Sequence, residues 1–424
     1  MLDVTYIRQN AEKVKQAMQN KGESETKVVD KIIDVDKKWR SLVEETDELR
    51  AESNTKAQKI GELMGSGNKE EAQEMIKYTS ELKEKIQDKE KDLRSAKEER
   101  DELLLRIPNV PHKSVPVGQT EDDNEVFKTW GDPVEEEWRK PHWKLVEDAE
   151  WIDFERGAKV TGAGFPFYKG AIAKLQRALI NYFLNKAEEQ GYTELQVPYF
   201  VNEDSARGTG QIPDKEDMMY EIPRDDFFMI PTAEVPVTNF HRDEILPKEE
   251  LPVYYAAYTP CWRREAGSYG KDVRGLNRLH QFDKVELVKL VHPETAYDEL
   301  EKLLGYAESL LESLGIPYRT LLMCTGDMGF TQTKKYDLEV WSPGQQQWLE
   351  VSSCSNFGGF QARRMMLRYR KDNGDTEILH TLNGSGLALP RVVAAILEIY
   401  QQKDGSVEVP EVLQPFLGTK VLTP

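Results

Sequence analysis

Between residues 32 and 103 mostly apolar or small side chains, with Lys56, Lys89 and Arg100 among them, recur at alternating steps of three and four. Ile32, Val35, Trp39, Leu42, Thr46, Leu49, Ser53, Lys56, Ile60 and Leu63 form one seam, and Ala72, Met75, Thr79, Leu82, Ile86, Lys89, Leu93, Ala96, Arg100 and Leu103 form a second. Gly65-Ser66-Gly67-Asn68 separates them. A 3–4 alternation keeps one stripe of a helix turned toward a partner. Two stripes of equal length around a Gly-rich break predict an antiparallel coiled-coil hairpin over residues 27–105. Each helix of roughly 38 residues would extend about 57 Å. The seam grows polar toward the turn, which predicts a loosely packed, mobile tip. Such an arm suits a dimerisation or spacer coil, or a limb that reaches a large partner. Residues 27–105 hold 17 basic and 21 acidic residues, so the arm is not broadly basic. Over 49–69, however, Arg50, Lys56, Lys59 and Lys69 face only Glu52 and Glu62, which predicts a positive bias at the tip.

The chain's 424 residues, arm included, suggest two or three domains. Residues 1–22 read as one short amphipathic helix, with Val4, Ile7, Ala11, Val14 and Ala17 on a face and Gly22 as its stop. Pro108 and Pro111 end the second arm helix, and Pro108 to Gly118 reads as a linker. The expected division is a helical domain at 1–108 and a second domain at 109–424. In the second, strand-like runs fall at Glu194–Val201, Val253–Tyr258, Lys284–Leu290, Lys335–Trp341 and Gln347–Ser352. Long helices are expected at Gly170–Gln190, Pro293–Leu314 and Ala388–Gln401. Most of these strands follow one another with no helix between, which predicts an α+β domain: an antiparallel sheet with flanking helices. Neither GxxxxGK[ST] nor GxGxxG after a strand occurs, so P-loop and Rossmann sites are not supported. No apolar run approaches the length of a membrane span. The charged first 20 residues read as neither signal nor transit peptide. Cys261, Cys324 and Cys354 are widely spaced and give neither a disulfide framework nor a zinc ribbon. A cytoplasmic protein with no membrane partner is expected. Six histidines (112, 142, 241, 280, 292 and 380) show no ligand spacing, and His280 is expected to be structural.

The chemistry concentrates in Tyr258 to Leu287, YTPCWRREAGSYGKDVRGLNRLHQFDKVEL. Arg263, Arg264, Lys271, Arg274 and Arg278 lie between two apolar runs, with glycines at 267, 270 and 275. A strand–loop–strand hairpin with arginines at its rim suits a nucleoside triphosphate, because arginine binds phosphate bidentately and keeps its charge. Arg263 and Glu265 are two apart, as on one strand face, and Phe282 and Glu286 share a face of the return strand. Three more fragments have the same character. IPTAEVPVTNFHRDEIL sets Thr232 and Glu234 on one strand face, suited to a substrate ammonium. WLEVSSCSN brings Glu350 and Ser353 together as hard oxygen ligands for Mg²⁺. HTLNGSGLALPR ends a strand in Gly384-Ser385-Gly386 and opens a helix with Arg391 in its second turn, where glycine permits close approach of a ligand.

Together these fragments resemble the three motifs of the class II aminoacyl-tRNA synthetases in the version found in seryl-tRNA synthetases. The resemblance runs over essentially the whole chain, and Gly208-Thr209-Gly210-Gln211 and the PNVPH linker also fit it. It implies ligation of L-serine to tRNA(Ser), with tRNA(Sec) left open as a second acceptor, and no DNA partner. It implies an ATP set of Arg263, Arg264, Glu265, Arg274, Leu279, Phe282, Glu350, Val351, Ser352, Ser353 and Arg391. Within that set Arg263 meets the α-phosphate, Glu265 the adenine amine, Phe282 the ring and Arg391 the γ-phosphate. Arg264 stands where a small residue is usual and receives no specific role. The implied serine set is Thr232, Ala233, Glu234, Glu286, Asn383 and Ser385, and Glu350 with Ser353 would hold Mg²⁺. Arg263 and Arg391 would be the catalytic cations, and loop 267–278 would cover the nucleotide. The helix Gly170–Gln190 and the strand bearing Pro198 would form a homodimer interface. In the wider class the third motif often reads Glu-Arg; here Pro390 precedes Arg391.

Against tRNA stands a formal net charge of −18, since nucleic-acid binders usually present a basic surface. A tRNA ligase of this composition needs local basic patches. Two other functions stay open on the residues alone: amino-acid activation onto a carrier protein or lysine, for which the long arm has no use, and a silent RNA-binding paralogue, for which the complete set of polar site residues has no use.

Overall fold

The computed structural model describes residues 1–213, 216–265 and 274–424, apart from the side chain of Glu216. The chain divides into two compact units, Leu2–Gln19 with Glu23–Pro108, and Asn109–Pro424 with Met1 and Asn20–Gly22.

The first unit contains α1 (Val4–Gln9), α2 (Ala11–Asn20), α3 (Lys27–Gly65) and α4 (Lys69–Leu105). The single helix expected over 1–22 is two. Asn10 breaks it by turning its side-chain amide back onto Tyr6 O at 3.0 Å, a local bond that competes with the helix ladder. Helices α3 and α4 form the antiparallel hairpin, 39 and 37 residues long, so α3 spans about 58 Å at 1.5 Å per residue. All twenty seam positions are buried or half-buried. At the base Asp36, 1% exposed, accepts from Arg8 at 2.9 Å and Arg40 at 3.0 Å and pairs with Arg100 at 3.5 Å. Arg100 also lies over the Trp39 ring at 4.2 Å. Farther out, the bridges between helices are partly exposed pairs such as Arg50–Glu90 and Lys89–Glu45, each worth little in water. The expected basic tip needs correction. The turn places Glu70 and Glu71 in the first turn of α4 beside Lys69, and residues 49–84, taken evenly about the turn, hold six basic and seven acidic residues. The tip carries exposed cations without a net positive charge.

The second unit is built on an eight-stranded sheet: β1 (Glu125–Trp130), β2 (Thr193–Glu194), β3 (Val253–Trp262), β4 (Gln281–Val291), β5 (Tyr318–Leu322), β6 (Lys334–Ser342), β7 (Gln347–Asn356) and β8 (His380–Ala388). Their order is β1-β5-β6-β7-β8-β4-β3-β2, antiparallel throughout except where β2 meets β3. Helices α5 (Gly170–Glu189), α6 (Ala296–Ser313) and α7 (Leu389–Tyr400) cover one face. Leu175, Phe183, Leu303 and Val392 from these helices pack with Val285, Leu287, Tyr336 and Leu338 from the strands in the main core. Strand side chains alternate between faces, so burying Val285 and Leu287 turns Lys284 and Glu286 to the face the helices leave free.

Three expectations change. The strand over Glu194–Val201 is split: Thr193–Glu194 joins the main sheet, and Phe200–Val201 joins a small sheet with Glu221–Ile222 and Phe227–Met229. Pro198 lies between and has no N–H for a ladder. Strands β1 and β5 were not anticipated. The supposed linker is pinned rather than free: buried Asn109 donates its amide to Thr331 O at 2.9 Å and Phe357 O at 2.7 Å, and His112 N–H bonds Thr333 O at 2.8 Å. Among the described residues no helix is long and apolar enough to cross a membrane.

Candidate active site

Phe282, Lys284 and Glu286 project from one face of β4 by strand alternation. Glu286 pairs in register with Ala257 on β3 and Ser385 on β8, and Val288 with Asn383. A register shift follows Ser385: between Glu286 and Lys284 the β8 chain spends one residue more than its partner. Gly386 and Leu387 absorb that bulge, Leu387 at φ 126° with its side chain fully buried. This is unfavourable backbone for leucine, and such bends concentrate beside active sites. The strand therefore continues through Gly384-Ser385-Gly386 and ends at Ala388, and Arg391 lies in the first turn of α7 rather than its second.

A second bulge lies in β7. Glu350 pairs with Glu339 and Ser352 with Leu338, leaving Val351 as the extra residue. In a regular strand, residues three apart face opposite ways. The bulge restores a common face, on which Glu350, Ser353 and the Ser353 partner Asp337 all lie.

At one end of the site two carboxylates meet around an amide. Asn383 Nδ2 donates to Glu234 Oε2 at 2.8 Å and to Glu286 Oε1 at 3.0 Å. Glu234 also accepts from Gln361 Nε2 at 2.6 Å, and Gln361 is fixed by Thr381 Oγ1 and by Thr209 O. Glu286 is 1% exposed, and its second oxygen lies 2.5 Å from Lys284 Nζ. Thr232 and Glu234 do not share a strand face. With Pro231 and Pro236 on either side, Glu234 opens a short helix, Glu234–Thr238, and its N–H donates to Thr232 Oγ1 at 3.2 Å. The expected convergence survives by this different route.

At the other end cations gather around Glu350. Its side chain is 45% exposed. Burial within the cleft raises its pKa, but Lys335, Arg391, Arg263 and Lys284 together hold it below the ordinary carboxylate range. These four cations come from four separate elements. Neighbouring Asp337 is pushed up to about 7 by burial, against the pull of Lys335 at 2.8 Å and with Glu350 adding to the rise. Arg391 is aimed by two carbonyls, Asn277 O at 3.1 Å and Glu350 O at 2.6 Å. Arg263 donates from Nε to Pro231 O at 3.2 Å, and its guanidinium lies 5.1 Å from the Phe282 ring centroid.

Several expected members differ in position. Strand β3 stops at Trp262, so Arg263 and Glu265 share no strand face; Glu265 takes a left-handed φ of 48° and pairs with Arg278 at 3.4 Å. Ala233, Val351 and Leu279 turn their side chains into apolar clusters, so only their backbones are available to a ligand. Ser352 is buried and donates to Ser385 O at 2.7 Å, tying the two bulged strands together. Arg264 and Arg274 are exposed. Of loop 267–278, residues 267–273, including Gly267, Gly270 and Lys271, lie outside the described residues. His280 is structural, stacked on Phe165 and bonded through Nδ1 to Tyr220 Oη at 2.7 Å. Lys284 and Gln361 were missed. The first was legible, because it sits between Phe282 and Glu286 on their own face; nothing local marks the second.

Glu350 and Ser353 supply one carboxylate and one hydroxyl. Among the described residues no group of three or more His, Cys, Asp or Glu could hold a metal. The pair fits Mg²⁺, which usually keeps waters and shares phosphate oxygens with its protein ligands.

Residues 219–400 match the class II core domain of the tRNA synthetases for G, H, P, S and T, and residues 1–111 match the seryl-tRNA synthetase N-terminal domain. The chain is 57% identical to the serine–tRNA ligase of Salinibacter ruber over 99% of its own length and 98% of the relative's. It is 52% identical to that of Bacillus cereus over the whole of both chains. The crystal structure of seryl-tRNA synthetase from Pyrococcus horikoshii complexed with ATP superimposes with a TM-score of 0.93 at 38% identity, covering both chains completely. With both bulged strands, the paired carboxylates and the ring of cations carried on this architecture, the chain belongs to the seryl-tRNA synthetases, the serine–tRNA ligase family of class II aminoacyl-tRNA synthetases.

Proposed function

We propose that the open sheet face condenses L-serine with ATP to seryl-adenylate and pyrophosphate, and that the seryl group then passes to the 3′ end of tRNA(Ser). One observation carries this reading: the site is polarised along a single face, with Glu234 and Glu286 bridged by Asn383 at one end, Lys335, Arg391 and Arg263 around Glu350 at the other, and Lys284, paired with Glu286, between them. An amino acid fits that polarity, its ammonium and hydroxyl toward the carboxylates and its carboxylate toward the cations.

In this reading Glu234 and Thr232 hold the ammonium, Glu286 accepts the serine hydroxyl, and Ser385 closes the pocket. Phe282 stacks on adenine and Glu265 reads its amine. Arg263 neutralises the α-phosphate and Arg391 the γ-phosphate. A serine carboxylate oxygen attacks the α-phosphorus in line, the bond to the β-phosphate oxygen breaks, and pyrophosphate leaves. No protein nucleophile takes part, so the acceleration comes from positioning and charge neutralisation. Mg²⁺ on Glu350 and Ser353 would add charge neutralisation at the phosphates when bound. The terminal ribose hydroxyl of tRNA then attacks the adenylate carbonyl and AMP leaves. The helical unit serves as the tRNA-binding domain and residues 109–424 as the catalytic domain.

Serine-dependent exchange of pyrophosphate into ATP, followed by charging of bulk tRNA, tests the whole scheme; absence of either in the folded protein would refute it. Glu286→Ala is the sharper probe. It should lower kcat/KM for serine by about a hundredfold or more, with ATP KM changing far less, because a site that hydrogen-bonds a substrate hydroxyl discriminates strongly against its absence. The serine-over-alanine ratio should collapse. Glu286→Gln keeps the volume and separates packing from charge. An unchanged ratio would move hydroxyl recognition to Thr232 or Ser385.

The chain would act as a homodimer. In the small sheet Val201 and Phe228 face inward, while Phe200, 47% exposed, and Phe227, 42% exposed, lie on the opposite face. An apolar sheet face in water favours a partner surface, and this one follows α5 and Pro198. Sedimentation at micromolar concentration should give twice the 48.8 kDa chain mass, and Phe227→Asp should shift it toward monomer. A wild-type protein sedimenting at the single-chain mass refutes the dimer.

A further inference from the structure

Helix α7 grips the returning end of the nucleotide hairpin twice. Arg391 donates directly to Asn277 O at 3.1 Å. Two turns on, Glu398 faces the same way and reaches the preceding residue through a histidine. Glu398 Oε1 accepts from His142 at Nδ1 (2.8 Å) and at its backbone N–H (2.9 Å). His142 Nε2 accepts the Leu276 N–H at 2.8 Å. Both His142 and Glu398 are completely buried. Because Nε2 accepts a backbone proton, the ring proton must sit on Nδ1 and point to the carboxylate, so Glu398 sets the tautomer. Ser342 Oγ, Gly344 N–H at 3.0 Å and Gln345 Nε2 at 3.0 Å also donate to Glu398, so the buried carboxylate is well supplied with donors. Gln345 in turn accepts from Asn277 Nδ2 at 2.7 Å. Gly275, at φ 63°, has no room for a Cβ because the His142 ring occupies that space.

We infer that His142, set by Glu398, is a positioning residue for the nucleotide site: it fixes the Leu276–Asn277 backbone and thereby the carbonyl that aims Arg391. Nothing in the local sequence PHWKL distinguishes this histidine from its neighbours. Its role follows from one circuit, Arg391 to Asn277 to Leu276 to His142 to Glu398 and back along α7. The inference rests on the reading of Arg391 as the γ-phosphate ligand.

The test is pyrophosphate exchange by the full-length protein, with ATP and serine KM measured separately, in His142→Phe, His142→Gln, Gly275→Ala and Arg391→Ala. Phenylalanine keeps the ring volume and removes the acceptor. Glutamine can still accept from Leu276 and donate to Glu398. His142→Phe should raise ATP KM about tenfold, the scale of leaving a buried N–H unpaired, while serine KM stays within about twofold. His142→Gln should recover most of that loss. Gly275→Ala, which pushes the ring away without altering it, should behave as His142→Phe does. Amide exchange over 274–278 should quicken in His142→Phe while the β4 amides keep their protection. A wild-type ATP KM in His142→Phe overturns the inference. So does a glutamine variant as impaired as the phenylalanine one, or a joint rise of both KM values with loss of protection throughout the sheet, which would make His142 merely structural. If Arg391→Ala itself leaves ATP KM unchanged, the underlying reading of Arg391 fails, whatever His142 does.

Discussion

Replacing Arg263 by alanine should reduce serine-dependent pyrophosphate exchange by about a thousandfold or more, at the upper end of what removing one donor to a developing charge costs, since a full charge goes with it. The protein should stay folded. Among the described residues Arg263 makes one side-chain hydrogen bond, to Pro231 O at 3.2 Å, and one ring interaction, with Phe282. The ring interaction is worth about 0.5–1 kcal/mol at an exposed site, so Tm should fall by only about 2–4 °C. The loss of activity therefore belongs to catalysis. Arg263→Lys should recover little, because a point charge cannot reproduce a planar fork on phosphate. Glu350 adds a second signature: Arg263 is one of the four cations that hold its pKa down, so the variant should bind Mg²⁺ no more weakly than wild type while failing to turn over. Near-normal exchange in a folded Arg263→Ala protein would remove Arg263 from the reaction.

The sequence was most legible where one period held over many residues. The arm seam supplies ten positions on each helix, and every one of them is buried or half-buried. Phe282 and Glu286 came out on one face because β4 is regular across them. Elsewhere a single backbone event set the parity. The expected pairing of Glu350 and Ser353 holds, but not by regular strand geometry, and the expected strand faces of Arg263 with Glu265 and of Thr232 with Glu234 do not hold. Glu350 and Ser353, three apart, belong on opposite faces of any regular strand; a bulge at Val351 makes them neighbours, and no residue type announces it. Arg263 and Glu265 have the spacing of one face but lose it because β3 stops at Trp262. Thr232 and Glu234 converge through a short helix rather than a strand. Residues that act by connecting distant segments left no local trace: Gln361 joins Thr209 to Glu234, and Asp36 gathers Arg8, Arg40 and Arg100 at the base of the arm. A count over 49–69 also misplaced charge, because a turn brings the first residues of the next helix to the same tip.

Deleting residues 30–103 and joining the flanks should leave serine activation nearly intact and reduce tRNA charging by about a hundredfold or more, the effect expected when an anchoring set of phosphate-binding groups is taken away from a bound polyanion. Every residue proposed to touch serine or ATP lies beyond residue 230 in the second unit, which has its own core and its own anchor at Asn109. The arm is stabilised internally by its seam and by Asp36, so its removal should not unravel the sheet. With no net positive charge at the tip, binding should depend on individual lysines and on shape, the usual mode for a protein limb along folded RNA. Neutralising Lys56, Lys59 and Lys69 together should lower the salt slope of tRNA binding by up to about 0.9 for each phosphate that a lysine no longer meets. If the slope does not move, those lysines meet no phosphate. The arm also raises a question of subunits. Arg263→Ala on a full-length subunit, paired with an arm-deleted subunit whose site is intact, produces a dimer with one arm and one working site on different chains. If an arm of about 58 Å holds tRNA whose acceptor end enters the site of a partner subunit, such hybrids should charge tRNA far better than either parent. Hybrids that activate serine but fail to charge, with both parents folded, would confine the arm to its own subunit's site or exclude it from tRNA binding. Activation that disappears together with charging in the arm-deleted protein would show instead that the arm supports the catalytic unit.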